Sequence, residues 1–223
     1  MKKFELTNEF VTNMFGTKLF RIRALVEFGD VEAGELGGYV EKESNLGHDD
    51  NAWVYDNAWV YGDAQVSGNA RVYGNAWVYG DARVYDNARV YGNAWVYGDA
   101  QVSGDALVYG NAWVYVNAWV YGNAQVYGNA RVCGDARVCG NGDYAYAHGF
   151  GSVNRTTTFF RLKDGGVGVR CGCFYGTLAQ FRDKIWETHG ETKKAQEYLM
   201  LADLMELRFE EDENEVGNRK YVE

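Results

Sequence analysis

Asn75-Ala76-Trp77-Val78-Tyr79-Gly80 followed by Asp81-Ala82-Arg83-Val84-Tyr85-Asp86 is one pair in a six-residue repeat that runs without a gap from Asn51 to Gly140. The consensus is Asn/Asp, Ala, variable, Val, Tyr/Ser/Cys, Gly. Ala holds the second position and Val the fourth in all fifteen blocks. Two apolar residues two apart are the alternation of a strand, so Ala and Val point inward and the variable residue between them points out. The Gly-Asn or Gly-Asp step makes a corner, because these residues tolerate the backbone angles of a tight turn. A helix does not repeat one residue type on one face at a spacing of six.

A longer period counts the strands in a coil. The corner residues read Asn51, Asn57, Asp63, then Asn69, Asn75, Asp81, then Asn87, Asn93, Asp99. That is a repeat of eighteen, or three hexads, with Asp105 and Asn117 out of step. The expected fold is an all-β, three-sided parallel β-helix of about five coils, roughly 24 Å long at ~4.8 Å between stacked strands. The same ruler sorts the outward residues. The first face carries Trp59, Trp77, Trp95 and Trp113, then Arg131, beside Tyr61, Tyr79, Tyr97 and Tyr115, then Cys133. The second carries Trp53, Arg71, Arg89, Leu107 and Gln125 beside a tyrosine column. The third carries Gln65, Arg83, Gln101, Trp119 and Arg137.

These blocks resemble the hexapeptide-repeat β-solenoids of the YdcK type, found in bacteria and phages. Arg21–Leu25 through Gly37-Gly38-Tyr39-Val40 resembles the lead-in piece of that group, so the likeness covers residues 20–140. The resemblance implies a left-handed coil. It implies little about activity, since members carry a transferase label by analogy with hexapeptide acyltransferases. In those enzymes the fifth position is usually small and a His supplies the base. Here the fifth position is mostly Tyr, and the repeats contain no His.

An open solenoid needs caps. Residues 10–28 alternate around Phe15-Gly16-Thr17-Lys18 as a hairpin, and Val40 and Leu46 fall in register with Ala52, so a degenerate first coil starts near residue 39. Past Gly140, Thr156–Leu162 and Val167–Cys171 read as two strands. Helices follow from Thr177, with a capping box to Gln180, and over Thr192–Phe209. The expected domains are a β cap over 1–50, the solenoid over 51–140, a small α+β module over 141–209, and a disordered acidic tail over 210–223.

The net charge is −9, with no basic patch, so nucleic acid is not an expected partner. Met1–Phe10 lacks the apolar run of a signal peptide or anchor, so no membrane is expected and the location read is the cytoplasm (the host's, if the chain is phage-borne). Cys133, Cys139, Cys171 and Cys173 then read as free, buried thiols. A cation held by Asp63, Asp81, Asp99 and Asp135, or zinc on the cysteines, is the lesser reading, and no metal or cofactor is assigned. His48, His148 and His189 are scattered, and no catalytic residue is assigned.

The sharpest candidate site is the first face: Trp59, Tyr61, Trp77, Tyr79, Trp95, Tyr97, Trp113 and Tyr115. A flat aromatic face docks a protein or a second copy, since Trp and Tyr are favoured interface anchors. It could instead stack on sugar rings, or do no more than join neighbouring coils. The expectation is a non-enzymatic binding or scaffold protein, homo-oligomeric through a solenoid face, with a host defence protein as a target if it is phage-borne. A trimeric acyltransferase-like enzyme and a carbohydrate-binding module are the alternatives.

Overall fold

The structure, a computed structural model, describes residues 2–151 and 155–210. Each hexad from Asn51 contributes one short strand, and every strand pairs in parallel with the one eighteen residues away. Trp59 lies against Trp77, Trp77 against Trp95 and Trp95 against Trp113, while the intervening valines pair in the same register. Three parallel sheets result, one per side. All fifteen Ala and all fifteen Val of the repeat are 0% exposed, so the two-residue alternation alone builds the core. Backbone bonds run between coils, with Trp59 N donating to Ala76 O at 2.9 Å and Tyr61 N to Val78 O at 3.0 Å.

The corners need left-handed backbone, which glycine adopts freely. Where Gly is replaced, Asp56 and Asp86 take φ of 54° and 59°, and each carboxylate accepts the N–H of the next coil's corner glycine, Gly74 or Gly104, at 3.0 Å. Val116 takes the same conformation, φ 63°, without that compensation.

Below the five regular coils lies the degenerate one, giving six turns. Tyr39 and Val40 pair in parallel with Trp59 and Val60, and Leu46 bridges Val66. Asn45 is fully buried and donates to Gly62 O and Ala64 O, supplying by side chain what a regular strand supplies by backbone. The hairpin of Phe4–Thr12 and Lys18–Ala24 starts six residues earlier than expected and extends the first face's sheet antiparallel through Leu36–Val40. Where this cap crosses the first coil the chain is Gly37-Gly38: a Cβ on Gly37 would lie 2.5 Å from Val54 O.

The cap also corrects one reading. Trp53, expected to point out on the second face, is 0% exposed. Phe28 and Phe4 pack edge-on against its ring at 5.3 and 6.2 Å.

At the other end a four-stranded antiparallel sheet, Tyr144–Phe150, Arg155–Arg161, Val167–Cys171 and Phe174–Thr177, carries helices α1 (Leu178–His189) and α2 (Lys193–Phe209). The first and last of these strands were not expected. The capping box at Thr177 and Gln180 forms as read. Strand Arg155–Arg161 is the shared wall: Phe160 packs into the solenoid core, and Phe159 packs under the helices. The expected disordered tail lies outside the described residues beyond Glu210. Among the described residues, no helix is long and apolar enough to cross a membrane.

Candidate functional site

The first face holds all eight expected aromatic residues together. Successive Trp rings stack at 4.8 Å and within 5° of parallel from Trp59 to Trp113. Successive Tyr rings from Tyr61 to Tyr115 stack at 4.9 Å. The columns interlock, because Tyr79 meets Trp95 edge-on at 6.4 Å and Tyr97 meets Trp113 at 6.3 Å. The cause is the in-register parallel sheet, which sets identical side chains one strand spacing apart. All eight are half-buried, so each ring is covered by its neighbours on its faces and presents an edge outward.

Both ends of the Trp column are closed by cations. Arg131 lies over Trp113 at 4.4 Å. At the start, Tyr39 takes the register below Trp59, and Arg21 lies over it at 5.6 Å. Glu9 accepts from Arg21 at 3.0 Å and from the Tyr39 hydroxyl at 3.1 Å, and these bonds, that of Arg21 foremost, lower its pKa. The row therefore runs Glu9, Arg21, Tyr39, four Trp, Arg131. Tyr39 was missed as its base because it stands twenty residues before Trp59, off the eighteen-residue ruler, which lands on Glu41. Burial raises the pKa of Tyr61, Tyr79, Tyr97 and Tyr115, and Tyr115 is further raised by its hydrogen bond with Cys133. The whole face is thus neutral near pH 7 between its end charges.

The other candidates do not converge. Among the described residues, no group of three or more His, Cys, Asp or Glu is placed to hold a metal. None of the four cysteines is in a disulfide and only Cys133 is buried; Cys139 and Cys173 are exposed and Cys171 is half-buried, which corrects the expectation of buried thiols. The exposure follows from position, since Cys139 ends the last coil and Cys173 sits in a hairpin turn. His48 stacks on Phe4 at 4.5 Å and accepts the Lys3 N–H at Nδ1; burial lowers its pKa. His148 is exposed beside Thr156, and His189 stacks on Tyr198 in the C-terminal module.

Coil register, inward Ala and Val, and three stacked sheets define a hexapeptide-repeat β-solenoid. The family model described as "YdcK Beta solenoid repeat" matches residues 64–80, 82–98, 100–116, 118–134 and 124–140. These matches all lie within the solenoid and cover about a third of the chain. The chain is also similar to the protein named "Uncharacterized acetyltransferase YdcK" of Escherichia coli (strain K12). They are 35% identical over 80 residues, which is 32% of this chain and 24% of that protein, so the chain spans about a quarter of its length. That name overturns the expectation of a non-enzymatic chain. Large fifth-position side chains and repeats without His describe the wall of one solenoid copy, and they do not exclude transferase chemistry.

Proposed function

We propose that the chain works by association, with the first solenoid face as the contact surface and a second copy of the same chain as the partner. The observation that supports this is the double aromatic column, Trp59 to Trp113 and Tyr61 to Tyr115, neutral and half-buried, with ring edges at the surface along four coils. A contiguous aromatic patch of this kind on a protein surface marks an interaction site. A flat face made of repeated identical rows is self-complementary, which suits the two-fold contact that most homo-oligomers use. The test is the solution mass by light scattering of the wild type and of the Trp77→Ser/Trp95→Ser variant. The expected result is a loss of one order of assembly in a variant that keeps its β-sheet circular dichroism. An unchanged mass removes the face from the account.

A second reading, acetyl transfer, is favoured by the name of the similar Escherichia coli protein. In it, association builds the cleft between copies in which the donor lies. Acetyl-coenzyme A should then raise the melting temperature of the assembled wild type and not of the disassembled variant. Equal melting curves with and without it would count against this reading.

A further inference from the structure

The C-terminal helices leave a second surface unexplained. Met200, Leu204 and Leu207 on α2 are 71%, 54% and 68% exposed, among the most exposed large apolar side chains of the chain. They fall at i, i+4 and i+7, so they form one stripe along the helix. The inner stripe of α2, with Tyr198, Ala202, Met205 and Phe209, is already used against α1 and the sheet. Trp186, 52% exposed, lies one turn along α1 from Arg182, which grips Asp203 and Glu206 of α2 and so flanks the stripe.

The charges along α2 say what fits there. Its start carries Lys193 and Lys194; its end carries Glu206, Arg208 and Glu210. A parallel pairing of two copies would set lysines on lysines and acids on acids. An antiparallel pairing, with the two-fold axis between Met200 and Leu204, sets Met200 on the partner copy's Leu204. The same register brings Glu197 to the partner copy's Arg208 on one flank at both ends of the contact, where Arg208 also donates to Asn141 O of its own copy at 3.3 Å. Asp203 comes close to its own copy across the axis, and it is the acid already neutralised by Arg182.

We propose that α2 is a two-fold homodimer surface, pairing antiparallel with the α2 of a second copy. It is separate from the aromatic face, and a chain with both surfaces assembles beyond a dimer. The stripe is short, so the contact belongs to the small, weak class of interfaces under about 1,200 Å².

The test uses the full chain in four forms, by light scattering at about 100 μM, a concentration suited to so small an interface: wild type, Trp77→Ser/Trp95→Ser, Leu204→Glu, and all three substitutions together. The aromatic-face variant should remain dimeric, and adding Leu204→Glu should make it monomeric. Leu204 is exposed, so its substitution should leave the melting curve of the fold intact. In the aromatic-face background, Glu197→Arg alone and Arg208→Glu alone should each weaken the dimer several-fold, and the two together should restore it. A folded aromatic-face variant that is already monomeric overturns the α2 proposal. So does a dimer that survives Leu204→Glu. Loss of the aromatic-face contact alone would show as a wild type whose mass matches the Trp77→Ser/Trp95→Ser variant, leaving the α2 result to be read separately.

Discussion

Val116 is the one corner residue whose side chain works against its backbone, and replacing it with glycine should stabilise the solenoid. It stands at φ 63° in the column otherwise held by Gly62, Gly80, Gly98 and Gly134. A left-handed conformation costs an L-residue about 1–2 kcal/mol, and a β-branched residue sits at the upper end of that cost. Glycine removes the strain, but its freer unfolded chain takes back about 0.4–1 kcal/mol. Val116 is 45% exposed, so little apolar contact is lost. The net gain for Val116→Gly is about 0.5–1 kcal/mol. In a chain of this size that is about 1–4 °C in melting temperature. The converse change in the same column, Gly98→Val, adds the strain and places a Cβ 3.1 Å from Val116 N, so it should cost more than the first change gains. Asp86→Gly is the control. It relieves the same strain but removes the bond accepted from Gly104 N, and the two should nearly cancel. Differential scanning calorimetry of the three variants decides the matter. A Val116→Gly protein that melts below the wild type refutes the argument that corner backbone strain, and not side-chain contact, governs this position.

Two further outcomes follow from the stacked columns. Burial raises the pKa of Tyr61, Tyr79, Tyr97 and Tyr115 above the ordinary value near 10, and Tyr55 is pushed up to about 12. A group whose folded pKa is raised favours the fold fully below its unfolded pKa, so stability should hold to about pH 10 and fall steadily above it. Tyrosinate absorbance should lag in the folded chain and appear together with loss of β-sheet circular dichroism; free titration of the ladder tyrosines near pH 10 in a folded chain would contradict this. At the corners, Asn51, Asn69 and Asn87 donate up their column, ending on Asp105, whereas Asp81 stands between Asp63 and Asp99 with no donor to offer. Asp81→Asn should therefore stabilise by about 0.5–1 kcal/mol, by removing like charges from adjacent strands and adding one hydrogen bond. The gain should shrink in high salt, and a salt-independent gain would point away from charge.

The repeat region was readable because each of its decisions is local: Ala and Val two apart set the inward face, and the eighteen-residue corner pattern sets the stacking. The aromatic face followed from that register with no knowledge of the ends. Trp53 was misread for the opposite reason. Its burial depends on Phe4 and Phe28, which reach it only because the hairpin folds over the first coil, and no spacing near Trp53 announces that. Tyr144–Phe150 and Phe174–Thr177 escaped notice because small residues, Ala145, Ala147 and Gly176, interrupt their apolar pattern, and their strand pairing comes from the neighbours. The α2 stripe was hidden among the apolar residues of a helix whose buried side is equally apolar. Only the packing against α1 tells Leu204 from Met205.

The three-strand coil has a consequence for how such a chain can change length. Removing or adding eighteen residues anywhere between Asn51 and Gly140 leaves every outward column in line and merely shortens or lengthens the rod by one coil. Removing six turns everything beyond the cut by one side, so that the tryptophans above it continue on a different wall from those below. The C-terminal module, seated on the last coil through Ala136, Leu162 and Asp135, turns with them by a third of a revolution. Hexads are thus the unit of sequence, but coils are the unit in which this molecule can grow while keeping its two ends facing the same way.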